Sequence, residues 1–181
     1  MAFAPHRDFA TLRRLWPAVE RYQKLALKHG ISDIFQDNGG KQLQLILLLG
    51  LVVLPGREGN DARTAGGQEL ELKTVNLDLQ NQFTTHHHLN PTILAKYRQV
   101  PWVFGFYRGI TLKAVYLLQA EQIEPYFADW EAKWHERGGK DINNPKIPSK
   151  FVLAHGELLW GEPPDLTRPK RAPARARKPR K

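Results

Sequence analysis

From Asp8 to His29 the apolar positions Leu12, Leu15, Trp16, Val19, Tyr22, Leu25 and Ala26 recur at steps of three and four, which predicts an amphipathic helix closed by Gly30. Pro17, near its middle, is expected to kink or restart it. The Asn-Gly-Gly content of FQDNGGK (Phe35 to Lys41) predicts a turn, and the unbroken apolar run Leu43 to Leu54 reads as a buried helix. After a loop, LPGREGND, the pattern changes period. Gln68 to Leu79, QELELKTVNLDL, alternates polar and apolar, the mark of a half-buried strand.

Thr84 to Pro91, TTHHHLNP, reads as a loop leading into a helix, with Asn90 as N-cap and Pro91 at the first helical position. Two apolar stretches, VPWVFGFY and ITLKAVYLL, separated by Arg108-Gly109, predict a hairpin. Tyr126 to Arg137 reads as a further amphipathic helix, Lys140 to Pro148 (KDINNPKIP) as a loop, and a last apolar segment lies near Phe151. No repeat is visible. These elements describe one α/β or α+β domain of about 160 residues, within the common size range.

Composition changes this picture in one respect. The net charge of +9 is concentrated: residues 166–181, LTRPKRAPARARKPRK, hold eight of the 27 Lys and Arg and no acid, leaving 19 bases against 18 acids, a net of +1, in the rest. The tail is rich in Pro and Ala, is expected to be disordered, and either binds polyanions weakly or only solubilises the chain. With no cysteine, disulfides and thiolate metal sites are excluded. The longest apolar run has 12 residues, whereas a membrane span takes about 20. The start MAFAPHRDF lacks the pattern of a signal peptide, so a soluble cytoplasmic protein is expected.

The strand has chemical content. Its alternation projects Glu69, Glu71 and Lys73 from one face and Leu70 and Leu72 from the other, beside a Gly-rich acidic loop ending in Asp61. Two carboxylates with an ammonium beside them suit metal-assisted phosphodiester hydrolysis, with Asp61 and Glu71 as oxygen ligands for Mg²⁺ and Lys73 serving the attacking water. Taken alone, Glu and Lys two apart also fit an ordinary solvated strand face. The consecutive histidines make a poor zinc site, because neighbours on an extended segment point to opposite sides.

Six stretches in this order, ALKHGISDIFQDNGGK, LPGREGNDA, ELELK, THHHLNP, AKYRQVPW and KDINNPKIP, resemble the PvuII family of restriction endonucleases, within the PD-(D/E)XK nuclease superfamily, over residues 8–160. Asn60 stands where the superfamily usually has proline. The resemblance implies a mixed sheet flanked by helices and a homodimeric type II endonuclease acting on double-stranded DNA. It implies Asp61, Glu71 and the Leu72 carbonyl as Mg²⁺ ligands, Lys73 at the water, and Glu58 and Tyr97 close by. It further implies that His87 and His88 read G·C pairs in the major groove with His86 in support, and that Asn144 reads adenine with Asn143 supporting the backbone. Asp37 would contact DNA from the other side, and Thr84 is grouped with the contacts of the histidine stretch. Without the resemblance, Asn143-Asn144-Pro145 and Asp37 read as plain turn residues.

The implied domain spans residues 1–162, with a catalytic region at about 36–100 and recognition elements at 84–90 and 140–148, followed by the basic tail at 163–181. The N-terminal helical stripe is either the dimer surface or packed within the monomer. The implied product is CAGCTG cut at its centre to blunt ends with 5′-phosphate and 3′-hydroxyl, in a cell protected by a cognate DNA methyltransferase. A DNA-binding protein of the same fold that does not cleave is the alternative, with a zinc hydrolase built on His86 to His88 behind it.

Overall fold

The computed structural model describes residues 5–54 and 60–167. The first helix, α1 (Phe9–Lys28), follows the predicted stripe and ends at His29, whose N–H returns to Ala26 O. It runs on through Pro17 without restarting. That part of the helix is exposed on all sides, so water can take the place of the hydrogen bond that proline removes. Helix α2 (Gly39–Leu49) begins at a left-handed Asn38 and stops at Gly50, φ 64°. The apolar run therefore does not stay helical to Leu54: Gly50 turns the chain, and Val52–Val53 form strand β1. Gly39 is required where it stands, since a Cβ there would lie 2.2 Å from Asp33 O.

The main sheet has the order β1-β2-β3-β5-β6-β8, built from β1, β2 (Ala62–Arg63), β3 (Glu69–Asn76), β5 (Trp102–Arg108), β6 (Thr111–Leu118) and β8 (Glu157–Gly161). Every pair is antiparallel except β3 with β5. A parallel pair cannot be closed by a tight turn and needs a crossover. Residues 77–101 make it, and they carry strand β4 (Gln82–Thr84), the histidines and helix α3 (Pro91–Tyr97). The hairpin β5–β6 is as expected, with its turn at Gly109-Ile110. Helix α4 (Ala120–Glu136) starts six residues before the predicted Tyr126, with Pro125 inside it; Gln119 N–H donates to Gln122 Oε1 at 2.7 Å and fixes the earlier start.

The sheet is covered on both faces. Leu70, Leu72, Val103 and Val115 pack under Leu43, Leu45 and Ile46 of α2. Val75, Trp102, Phe104, Phe106 and Tyr116 face Phe83, Leu94, Tyr97 and Phe127 on the other side. This mixed sheet between helices matches the expected fold class.

The segment expected as a loop at 140–148 is partly strand. Strand β7 (Lys146–Pro148) pairs antiparallel with β4 in the register Gln82↔Pro148, Phe83↔Ile147, Thr84↔Lys146. Helix α5 (Ser149–His155) then leads to β8. Packed chain continues past residue 162: Leu166 lies against the aromatic side of the core that holds Phe83 and Phe127, and Arg108 Nη2 donates to Asp165 O and Thr167 O, each at 2.8 Å. The rest of the expected basic tail, residues 168–181, lies outside the described residues.

Candidate active site

Glu71 lies near the start of β3, just past the end of the β2 pairing and opposite Trp102 of β5, and it is 4 % exposed. The face read from sequence alone as half solvated is therefore covered at this position. Lys73 Nζ donates to Glu71 Oε1 at 2.5 Å, while Glu71 Oε2 is buried and, among the described residues, takes no hydrogen bond of good geometry, although the Tyr97 hydroxyl is close enough to favour its charged form. A buried carboxylate oxygen without a donor is costly. Burial pushes the Glu71 carboxyl up to about 7, against the pull of Lys73 and with a further push from Asp61. Burial alone would lower the Lys73 ammonium, but Glu71, Tyr97 and Asp61 outweigh it and hold its pKa above the ordinary lysine value.

Asp61 reaches the site from the entrance to β2. Its N–H donates to Leu70 O at 3.1 Å, and its Oδ2 accepts from Leu72 N–H at 2.8 Å. Because N–H and C=O of one strand residue point to the same side, the Leu72 carbonyl is aimed towards Asp61 as well. Asp61, the orphaned Glu71 oxygen and that carbonyl form an all-oxygen set of the kind that takes a hard divalent cation. Among the described residues no group of three or more His, Cys, Asp or Glu is placed to hold a metal. The donors here are two carboxylates and a backbone oxygen, which fit such an ion. Glu58 lies outside the described residues.

Tyr97, the last residue of α3, is buried. Its ring lies under Lys73 Nζ at 5.6 Å, and burial raises its phenol above the usual range. Helix α3 is fixed at its start by Asn90, whose side chain accepts from Ile93 N–H at 3.2 Å, as the sequence predicts. Its end is tied down by Arg98, which forks onto Glu124 and also pairs with Glu131 at 2.8 Å.

The two stretches expected to read bases lie far apart in sequence, yet the β4–β7 pairing continues into them. Thr85 N–H and Oγ1 both donate to Pro145 O, Asn144 N–H donates to His86 O at 2.9 Å, and Leu89 bridges Ile142. Thr84 opposes Lys146 at the base of this ribbon. His87 and His88 are exposed near its tip; His87 Nδ1 meets Asn143 Oδ1 at 3.3 Å, and His88 lies 3.9 Å from Asp141. His86 is partly buried, and its Nδ1 accepts from His88 N–H at 3.0 Å. Burial, then Lys73 and the two neighbouring rings, lower its pKa, and with Nδ1 accepting, the neutral ring carries its proton on Nε2. Asn144 has φ 55° and a buried amide oxygen without a partner.

Asp37 sits on the exposed turn before α2 with φ 46°. It lines a cleft with Asp33, Gln42 and Leu54, and Leu54 N–H donates to Asp61 O. Sequence reasoning missed the ribbon pairing and Trp102, whose neighbourhood depends on the β3–β5 register. The Pro101-Trp102 start of an apolar strand was the available signal.

A carboxylate and a lysine on β3, a second carboxylate from the entrance to β2 and a two-stranded ribbon beside them are arranged on a mixed sheet between helices, the fold expected of a restriction endonuclease. The family model described as restriction endonuclease PvuII matches residues 7–160. The chain belongs to that family and is a type II restriction endonuclease, a hydrolase that cuts DNA site-specifically. The family generally works with a divalent metal. Among the described residues no helix is long and apolar enough to cross a membrane.

Proposed function

We propose that the protein is a homodimeric, Mg²⁺-dependent endonuclease that hydrolyses both strands of CAGCTG at its centre, leaving blunt ends with 5′-phosphate and 3′-hydroxyl. The observation that carries the catalytic half is the buried Glu71 carboxylate beside Asp61 and Lys73, whose Oε2 takes no hydrogen bond of good geometry among the described residues. Asp61, Glu71 and the Leu72 carbonyl would hold the ion, with Tyr97 close to the same site; the resemblance adds Glu58, which lies outside the described residues. When bound, Mg²⁺ lowers the pKa of a water and offsets charge on the phosphate. Lys73, kept as an ammonium, orients the attacking water and adds positive charge where the phosphate becomes more negative.

The reading half rests on the ribbon. A two-stranded antiparallel ribbon fits the major groove, and this one carries His87, His88 and Asn144 together. A histidine ring can donate to guanine N7 or O6, or accept from the cytosine amino group, according to its protonation state, while Asn pairs with adenine N6 and N7. His86, Thr84 and Asn143 support these contacts, and Asp37 meets DNA from the far side of the cleft. A palindrome calls for two copies about a two-fold axis. Leu12, Leu15 and Trp16 are 49, 60 and 44 % exposed in the single chain, which favours α1 as the dimer surface over packing within the monomer. Such a short site recurs throughout a genome, so a cognate methyltransferase must protect the host, and the enzyme acts in the cytoplasm where that DNA lies.

The test is to incubate the protein with plasmid carrying a single CAGCTG, with and without Mg²⁺, and to sequence the ends. Mg²⁺-dependent blunt cutting at that site is expected. Cutting at another sequence would overturn the assignment of the readers, and specific binding without cutting would favour a non-catalytic role.

A further inference from the structure

Lys73 is held by more than its carboxylate partner. In parallel register, β5 places Trp102 beside Glu71 and Phe104 beside Lys73 on the same face of the sheet. Lys73 Nζ lies over the Trp102 ring at 5.3 Å and over the Tyr97 ring at 5.6 Å. Neither ring is free to swing away. Trp102 is fully buried, its Nε1–H donates to Tyr97 O at 3.3 Å, and the two rings meet edge to face with centroids 4.6 Å apart.

An ammonium has three N–H donors. One is taken by Glu71 Oε1. Two ring faces close further sides; they attract the cation through their quadrupole and exclude water that would otherwise compete for its donors. The remaining opening is narrow, since the Lys73 side chain is 13 % exposed. We propose that Trp102 is a positioning residue for DNA cleavage: its ring face, with that of Tyr97, aims the Lys73 ammonium at the reacting phosphate. This rests on the reading of Lys73 given above. If the ring served only to fill the core, its shape would matter and the charge on its face would not.

The experiment separates shape from face charge. Trp102 is replaced site-specifically by mono-, di- and trifluorotryptophan, which keep the ring's outline while draining its negative face, and Trp102→Phe and Trp102→Leu are made beside them. For each, the single-turnover cleavage rate with Mg²⁺ is measured along with binding to the same duplex without metal and the melting temperature. The cleavage rate should fall stepwise with fluorination at unchanged binding and melting temperature, and fall about tenfold or more in Trp102→Leu while Trp102→Phe retains most of it. Fluorinated proteins that cut at the wild-type rate would overturn the proposal, as would equal losses in the Phe and Leu variants. A wild-type protein that cuts no duplex at all would sink the reading of Lys73, and this proposal with it.

Discussion

Lys73 satisfies one oxygen of Glu71 and leaves the other buried, with no hydrogen bond of good geometry among the described residues. This asymmetry sets how the site should respond to pH. The Glu71 carboxyl is raised to about 7 by burial, so between about pH 4.5 and about pH 7 the folded protein holds a proton that the unfolded chain, with an ordinary carboxyl near 4.5, has already lost. The group's contribution to stability therefore declines as pH rises from about 4.5 to about 7, in the absence of metal.

A divalent cation must displace that proton. Apparent Mg²⁺ affinity should increase with pH up to about 7 and level off above it. Titration of metal binding by calorimetry in buffers of different ionisation enthalpy would show proton release at pH 6 and little at pH 8. Proton release that does not change with pH would exclude Glu71 as the displaced group.

Asp61 has two duties that one substitution can separate. Its Oδ2 accepts from Leu72 N–H at 2.8 Å, a structural role that an amide oxygen can take over. Asp61→Asn should therefore keep the fold and specific binding, while losing several kcal/mol of metal-derived stabilisation, on the order of a thousandfold in cleavage rate. Quantitative cleavage assays beside thermal melts would check this. Undiminished cutting would remove Asp61 from the metal site.

Much of this arrangement could be read from sequence where local chemistry decides it. The Asn90 cap, the α1 helix and the existence of a strand at Glu69–Asn76 depend on neighbours within one element, and they stand as expected. The β4–β7 ribbon was hidden because each strand has three residues and buries a single central side chain, Phe83 or Ile147. Neither is long enough to show a period. The burial of Glu71 was hidden for a different reason: it follows from the β3–β5 parallel register and the crossover that lays Tyr97 over the strand, both non-local. In α2 the apolar run masked Gly50, whose left-handed backbone, rather than any change in hydropathy, ends the helix.

Asn144 combines a left-handed backbone with a buried, unpaired amide oxygen. Asn144→Gly keeps the backbone at ease and removes the side chain, whereas Asn144→Ala removes the side chain and adds strain. Both should lose about 1–3 kcal/mol of preference for the cognate duplex over one with the relevant A·T pair exchanged. Only the Ala variant should also melt at a lower temperature. Unchanged discrimination in fluorescence anisotropy would return Asn144 to a turn residue.

The exposed apolar stripe on α1 makes the oligomeric state testable without disturbing the core. Leu15, 60 % exposed, has no role in either core cluster. Leu15→Glu should leave the circular dichroism spectrum intact and shift the sedimentation coefficient from dimer to monomer, with loss of double-strand cutting. A wild-type monomer that cuts both strands at the centre of the site would contradict the dimer.

The C-terminal stretch divides into two parts that should behave differently when removed. Residues 162–167 are tied to the body: Arg108 bridges Asp78 at 2.9 Å and holds two carbonyls of this stretch, while Asn81 Nδ2 donates to Leu166 O at 3.0 Å. Residues 168–181 contribute eight positive charges. Deleting 168–181 should weaken non-specific DNA binding and flatten its salt dependence by about 0.9 in log–log slope for each phosphate that the tail neutralises, with specific cleavage at low salt preserved. Deleting from residue 162 should in addition lower the melting temperature, because Arg108 is deprived of its carbonyl partners and Leu166 leaves the core. A shorter deletion that abolishes cleavage at low salt would show that the basic residues belong to the working enzyme and not only to its electrostatic surroundings.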